Sequence, residues 1–274
     1  MAAERVLRWY EDLRGRELMG FELKEKFSAW GVTDCFCDFD DSLVGTKGVF
    51  GVATSDVGQI LFNRARALGR EISFASAEEV ARECLKYIHG LRSQFSVDRP
   101  VTLLSVLLTA RHLGLGDKDE EVGRASDRMA RVYGEDIPDV FPGARETVAA
   151  LRDSGINLVL ATHASPEWTR IKLGGTGLAG CFKGVVCFDV RQPKANQWRS
   201  HFPILERDPT RVLVIGDNYW GDIFPAVSLG ARGAWINGDQ AFSVDSSTGD
   251  GRDFSDRVIT AHSVGDVVEA ILRA

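Results

Sequence analysis

The stretch Asp38-Phe39-Asp40-Asp41-Ser42-Leu43-Val44 sets two carboxylates two residues apart, directly after the apolar run Val32-Thr33-Asp34-Cys35-Phe36-Cys37. That run reads as a short buried strand. Side chains at i and i+2 of a strand share one face, so Asp38 and Asp40 point into the same space if the strand geometry continues that far. Like charges held so close raise each other's pKa unless a cation or a shared proton intervenes. Packing gives little reason for such a pair. The chemistry that does is a divalent cation, nucleophilic attack by a carboxylate, or acid–base transfer. A solvated acidic loop after an edge strand is the plain alternative.

A second acidic pair lies far along the chain. Arg211-Val212-Leu213-Val214-Ile215 is a β-branched strand closed by Gly216-Asp217, and Asp222 follows after Asn218-Tyr219-Trp220-Gly221. Hard cations such as Mg²⁺ take oxygen ligands, often one or two carboxylates with water and substrate phosphate. The two acidic strand ends meet if both strands belong to one parallel sheet, and open α/β sheets bind ligands beyond the carboxyl ends of their strands.

Between them, a helix over Ala144 to Ser154, ended by Gly155 as a left-handed cap, feeds the apolar strand Ile156 to Thr162. The strand exits into His163-Ala164-Ser165-Pro166-Glu167, with Ser165 as N-cap, Pro166 at the first helical position and Glu167 in the first turn. A hydroxyl such as that of Thr162, at a strand end facing a helix N-terminus, suits an anion; an ordinary strand threonine is the other reading. Gly184-Val185-Val186-Cys187 forms a further short strand, and the loop after it carries Lys194.

In this order the motifs resemble the haloacid dehalogenase superfamily, in its phosphatase-like branch. The resemblance spans roughly residues 33 to 236 and implies a Rossmann-like parallel sheet with helices on both faces. No Gly-x-Gly-x-x-Gly follows the first strand, so a nicotinamide cofactor is not expected. The resemblance implies that Asp38 is a nucleophile forming an aspartyl-phosphate and that Asp40 is the acid and base. Mg²⁺ would be held by Asp38, Asp40 (through its backbone carbonyl) and Asp217, with Asp222 either a direct ligand or just behind the ligands. Ser42, Thr162, His163 and Lys47 would face substrate, and Lys194 would pair with the phosphate and with Asp38, with Lys183 as the other candidate lysine. Asp41 stands where Gly is common, Ser42 where Thr is, and His163 where Asn is; Pro193 precedes Lys194, whereas the family more often has Pro after the lysine. Haloacid dehalogenases and phosphonate-cleaving relatives lack an acid at the position of Asp40, which favours phosphate monoesters. A sugar-phosphate mutase shares the pair and stays open, as does a non-catalytic binding or regulatory protein on this scaffold.

Residues 45 to 137 separate the first two motifs. Apolar positions at i, i+3 and i+4 predict helices over Val57–Leu68, Ala77–Phe95, Val101–Leu113 and Asp117–Tyr133. Asp98, shortly before Pro100, marks a helix start. Such an insert resembles the family's first cap type, a small bundle that closes over the site. Its Arg64, Arg66, Arg70, Arg92 and Arg111 are candidates for an anionic substrate. The expected organisation is a helical extension over 1–30, a Rossmann-like core over 31–44 and 138–274, and the α-helical cap over 45–137.

The extension carries Val6, Trp9, Tyr10, Leu13, Phe21, Leu23, Phe27 and Trp30, a stripe expected to pack on its own domain, with an oligomer contact as the alternative. Residues 237–255, rich in Gly, Ser and Asp, read as a loop, followed by a strand from Arg257 to Thr260 and a last helix. With 274 residues and 44% hydrophobic content, the chain can bury a main core and a smaller one. A net charge of −6 does not suggest a nucleic-acid surface, and no apolar run is long enough to span a membrane. The five cysteines include no Cys-x-x-Cys pair, which with the absence of a secretory signal predicts a cytoplasmic protein. The expected partner is a small phosphorylated metabolite.

Overall fold

The computed structural model describes residues 15, 18–95, 98–237, 254 and 256–274. A helix over 18–30, α1, precedes strand β1 (Asp34–Cys37). Four helices follow: α2 (Thr46–Ala67), α3 (Ala77–Leu91), α4 (Asp98–His112) and α5 (Glu120–Arg131). The chain then runs through α6 (Ala144–Asp153), β2 (Asn157–Thr162), α7 (Pro166–Thr176) and β3 (Gly184–Cys187). Short helices α8 (Trp198–His201) and α9 (Ile204–Arg207) lead to β4 (Val212–Gly216). α10 (Phe224–Val227), β5 (Arg232–Ile236), β6 (Val258–Ala261) and α11 (Val267–Arg273) complete it.

The strands form one six-stranded sheet in the order β3-β2-β1-β4-β5-β6. Every neighbouring pair is parallel. β1 lies between β2 and β4, with Cys37 opposite Leu160 on one side and Ile215 on the other. Successive strands after β1 extend to one side and then, from β4, to the other. The crevice where the order reverses is therefore at the carboxyl ends of β1 and β4, the switch point at which such sheets bind ligands. The alternation of strand side chains feeds two separate cores. Cys35, Cys37, Leu158, Leu160, Leu213 and Ile215 pack with Leu23, Phe27, Val148, Leu151 and Ile271 on one face. Phe36, Ala161, Val212 and Val214 pack with Trp198, Phe202 and Leu205 on the other.

Leu23 and Phe27 of α1 are buried in the first of these cores, as the packed-stripe reading expects, and Phe21 is exposed. The earlier part of the extension, with Val6, Trp9, Tyr10 and Leu13, lies outside the described residues, as does nearly all of the expected loop over 237–255. α2 begins eleven residues earlier than its periodicity predicts, taking in Gly48 and Gly51, residues of poor helix propensity. The helix expected to reach Phe95 stops at Leu91 and tightens into a 3₁₀ turn, Arg92–Gln94.

α2 to α5 enclose a core of their own around Val57, Leu61, Val80, Cys84, Val106 and Met129. The two connectors that join this bundle to the sheet run side by side. Val44 bridges Val140, and the Phe141 and Gly45 amides donate to the carbonyls of Leu43 and Asp139, each at 2.9 Å. α2 and α3 approach closely at Gly58, where an added Cβ would sit 2.4 Å from the carbonyl oxygen of Ala77. Gly58→Val is expected to cost roughly 1–3 kcal/mol through overpacking. Gly123→Ala in α5, where nothing lies within 4 Å of the new methyl, should gain about 0.5–1 kcal/mol from helix propensity alone. Denaturant titration of the two variants checks both signs.

Candidate active site

Asp38 continues β1, its amide donating to the Ile215 carbonyl at 2.8 Å. The chain then turns back at Asp41, whose φ of 62° is the only positive value at a non-glycine among the described residues. Asp is among the residues that tolerate this left-handed conformation, which accounts for its standing where Gly is common. The turn leaves Asp38 almost completely buried beside the end of β4.

Lys194, from the loop after β3, reaches across to place its Nζ 2.5 Å from Asp38 Oδ1 and 2.5 Å from Asp222 Oδ1. Burial opposes the ammonium, but Asp222 and Asp38 more than offset it, so Lys194 stays protonated well above its ordinary range. Lys183, by contrast, is exposed and outside the cavity. Oxygens of Asp38, Asp217 and Asp222 all lie within 4.8 Å of one another. Gly216 makes room for this, since a Cβ there would lie 2.5 Å from Asp222 Oδ2. Burial, with Asp38 adding to it against the opposing Lys47, pushes Asp217 up to about 6. Burial pushes Asp222 up to about 7, Lys194 opposing and Asp38 adding. Three hard oxygen donors crowded together, with Lys194 buried among them and Lys47 only at the rim, are a donor set that fits a divalent cation.

Ser42 is fully buried and lies behind these carboxylates, outside the cavity lining. Its Oγ is 2.9 Å from Asp38 Oδ2 and 3.1 Å from Asp217 Oδ1, and accepts the Asp217 amide at 3.0 Å. One hydroxyl proton serves one carboxylate at a time. Thr162 is likewise buried, and its hydroxyl donates to Asp40 Oδ2 at 3.1 Å. Ser42 and Thr162, two of the four residues expected to face substrate, therefore contact acids in this structure. His163 does line the cavity, its Nε2 against the Asp189 carbonyl at 3.1 Å. Burial, then the nearby Arg92, lowers its pKa, so it presents a neutral ring at neutral pH. Lys47 sits on the rim, 3.6 Å from both Asp41 and Asp217.

Asp40 occupies a different environment from Asp38. Oδ1 accepts from the Thr46 hydroxyl at 2.5 Å and from the ammonium of Lys172, and Oδ2 from Thr162. Burial works to raise its pKa, but Lys172 and the two hydroxyls prevail and hold it below the usual carboxylate range. Lys172 has no solvent exposure; its ammonium lies 3.7 Å from the Trp168 ring centroid and 5.3 Å from that of Phe39. Sequence reasoning missed both Lys172 and Thr46. The available signal for Lys172 was its spacing, for it lies on the same stripe of α7 as Trp168, Thr169, Leu173 and Thr176.

A cavity of about 480 Å³ opens above these groups and is lined by Asp38, Asp40, Asp41, Asp217, Asp222, Lys47 and Lys194 at its base. The helical bundle supplies the other side, with Phe50, Leu85, Ile88, His89, Arg92, Val101 and Tyr133. Of the five candidate arginines only Arg92 lines it; Arg64 and Arg111 are paired with Asp119 and Asp117. Trp168 closes the seam, donating from Nε1 to the Val132 carbonyl at 3.0 Å and meeting the rings of Phe50 and Tyr133.

Two predictions follow from the charge arrangement. Lys172→Met leaves a partly buried carboxylate without its counterion and is expected to lower stability by about 3 kcal/mol, the low end for a broken buried pair because Asp40 reaches the cavity. Adding Asp40→Asn to that variant should recover part of the loss in a double-mutant cycle. The second concerns pH. Asp217 and Asp222 bind protons more tightly folded than unfolded, so their contribution to stability is complete below about pH 4 and is lost as pH rises through about 6 to 7. MgCl₂ is therefore expected to raise Tm more at about pH 8 than at about pH 5. Equal shifts at the two pH values would show that these carboxylates do not hold the ion.

The chain is similar to known phosphatases and hydrolases. A phosphoserine phosphatase from Thermus thermophilus is 27% identical over 218 residues, covering 73% of this chain and 86% of that protein. A glyceraldehyde 3-phosphate phosphatase from Pyrococcus abyssi is 21% identical over 204 residues, covering 73% and 79%. The crystal structure of a haloacid dehalogenase-like family hydrolase from Xanthomonas campestris superposes with a TM-score of 0.67 at 16% identity, covering 88% of this chain and 91% of the other. No described helix is long and apolar enough to cross a membrane. The family model of the haloacid dehalogenase-like hydrolases matches residues 35–230, and the chain belongs to that family.

Proposed function

We propose that this hydrolase is a Mg²⁺-dependent phosphatase that cleaves a small phosphorylated metabolite through an aspartyl-phosphate on Asp38. One observation carries the reading. The two acids of the first motif are held in opposite ways, Asp38 against Lys194 at the metal-type cluster and Asp40 apart from it against Lys172. Two carboxylates set in different environments are the usual sign of divided roles. Solved L-2-haloacid dehalogenases share the fold. The acid at position 40, with the protein groups built around it, favours phosphate esters over carbon–halogen bonds.

Asp38, Asp217 and Asp222, with the backbone carbonyl of Asp40, would hold Mg²⁺. That ion would supply positive charge against the phosphate and the crowded carboxylates. Asp38 attacks phosphorus, the bond from phosphorus to the ester oxygen breaks, and that oxygen takes a proton from Asp40. Lys194 offsets charge on the transferring group. Asp40 then accepts a proton from the water that attacks phosphorus, releasing phosphate and restoring Asp38. Its resting state, a carboxylate fixed by Lys172, suits this second half. For the first half Asp40 must be protonated, and the negative phosphate entering the cavity shifts it in that direction by like-charge repulsion. Ser42 and Thr162 orient the two acids, Lys47 and His163 border the bound group, and the helices of residues 45–137 act as the cap over it.

Phosphate release from a panel of esters, with Mg²⁺, with EDTA and as Asp38→Asn, tests the reading. Activity is expected to need both metal and Asp38, falling by at least about 10³-fold in the variant. Folded protein that binds Mg²⁺ but releases nothing from any ester would shift the reading to a phosphoryl-returning mutase or a binding protein. Turnover dependent on a bisphosphate activator would identify the mutase.

A further inference from the structure

The two phosphatases that resemble this chain are named for three-carbon substrates, yet the cavity is built for something larger and less polar. Its volume of about 480 Å³ falls in the range, roughly 300–1,000 Å³, in which pockets enclose drug-sized ligands. Its chemistry is also divided. The acids and lysines gather at the sheet end, and the cap side offers Phe50, Leu85, Ile88 and Val101. Serine or a triose would leave much of that apolar surface uncovered.

The seam between the bundle and the sheet carries a cation. Arg92 begins the 3₁₀ turn after α3, and His89 precedes it by three residues; both line the cavity. Arg92 donates from a terminal nitrogen to the His163 carbonyl at 2.9 Å, which anchors the guanidinium across the seam between cap and sheet. Its Nε is buried and has no hydrogen-bond partner. A buried charged donor without an acceptor is costly, and an anion bound by the guanidinium would offset that cost.

Resting on the phosphatase reading, we propose that the substrate is a phosphate monoester whose alcohol has an apolar, ring-sized body and also carries a carboxylate. The body lies on Phe50, Leu85, Ile88 and Val101, and the carboxylate meets Arg92 beside His89. Specificity then comes from the cap, through one apolar wall and one cation, while the reacting groups stay on the sheet.

Alcohols of similar leaving ability separate size and charge from chemistry. The series is propyl phosphate, 3-phenylpropyl phosphate and 3-(4-carboxyphenyl)propyl phosphate, run with phosphoserine and glyceraldehyde 3-phosphate under Mg²⁺. kcat/KM is expected to rise about tenfold with the ring and about tenfold again with the carboxylate. Arg92→Met should remove the second rise, lowering the carboxylated ester more than the phenylpropyl ester. If that variant does not fold, Arg92→Lys is compared by the same ratio, and the wild-type series alone still decides both rises. Mg²⁺-dependent hydrolysis that is equal across the series, or best on phosphoserine or glyceraldehyde 3-phosphate, overturns the proposal while the phosphatase reading stands. An equal loss on all three alkyl esters in Arg92→Met would place Arg92 on the phosphate and overturn the carboxylate assignment. No release from any ester by folded protein overturns both.

Discussion

Five carboxylates (Asp38, Asp40, Asp41, Asp217 and Asp222) converge where β1 and β4 end, and the repulsion among them is the constraint around which the site is organised. Water relieves little of it for Asp38 and Asp222, which are almost completely buried. Lysines from elsewhere in the chain offset it. Lys194 arrives from the loop after β3 and bridges Asp38 and Asp222, and Lys172 arrives from α7 and takes Asp40. Removing either cation would leave an uncompensated buried charge, the costliest kind of change in a protein interior.

The sheet order makes this convergence possible. Because β1 lies between β2 and β4, the chain's first acidic motif, the hydroxyl of Thr162 and the second acidic motif end at one edge. The lysines come from segments that follow β2 and β3, so their reach depends on the same parallel register. Division of the acids follows from which lysine each meets. Asp38 shares its lysine with a metal-type cluster, whereas Asp40 is fixed by one ammonium and two hydroxyls. The bundle of α2 to α5 adds the remaining wall, held to the sheet by the Arg92 and Trp168 hydrogen bonds across the seam.

Much of this was legible in the residues. The apolar runs and the Gly155 and Pro166 boundaries marked the strands, and the spacing of the acids marked the strand ends that carry chemistry. The four motifs located Asp38, Asp40, Lys194, Asp217 and Asp222, all of which the fold brings to one cavity. The hydroxyls were harder to read. Ser42 and Thr162 stand next to the acids in sequence, but whether each faces substrate or turns back to a carboxylate is a matter of rotamer and neighbours. The start of α2 was hidden because glycine is a poor helix former, and Gly48 and Gly51 stand in its first two turns.

What the sequence by itself determined is the kind of chemistry: carboxylate pairs at strand ends, a lysine between them in chain order, and a helical insert after the first pair. Residue type and local period carry that information because they act over a few neighbouring positions. Only the tertiary structure decided which lysine meets which acid, that Lys172 is buried against Asp40, and that Arg92 alone among the five candidate cap arginines faces the cavity. Those pairings join residues as much as 156 positions apart, and no local pattern sets a distance across such a span; the parallel register and the packing of the bundle do.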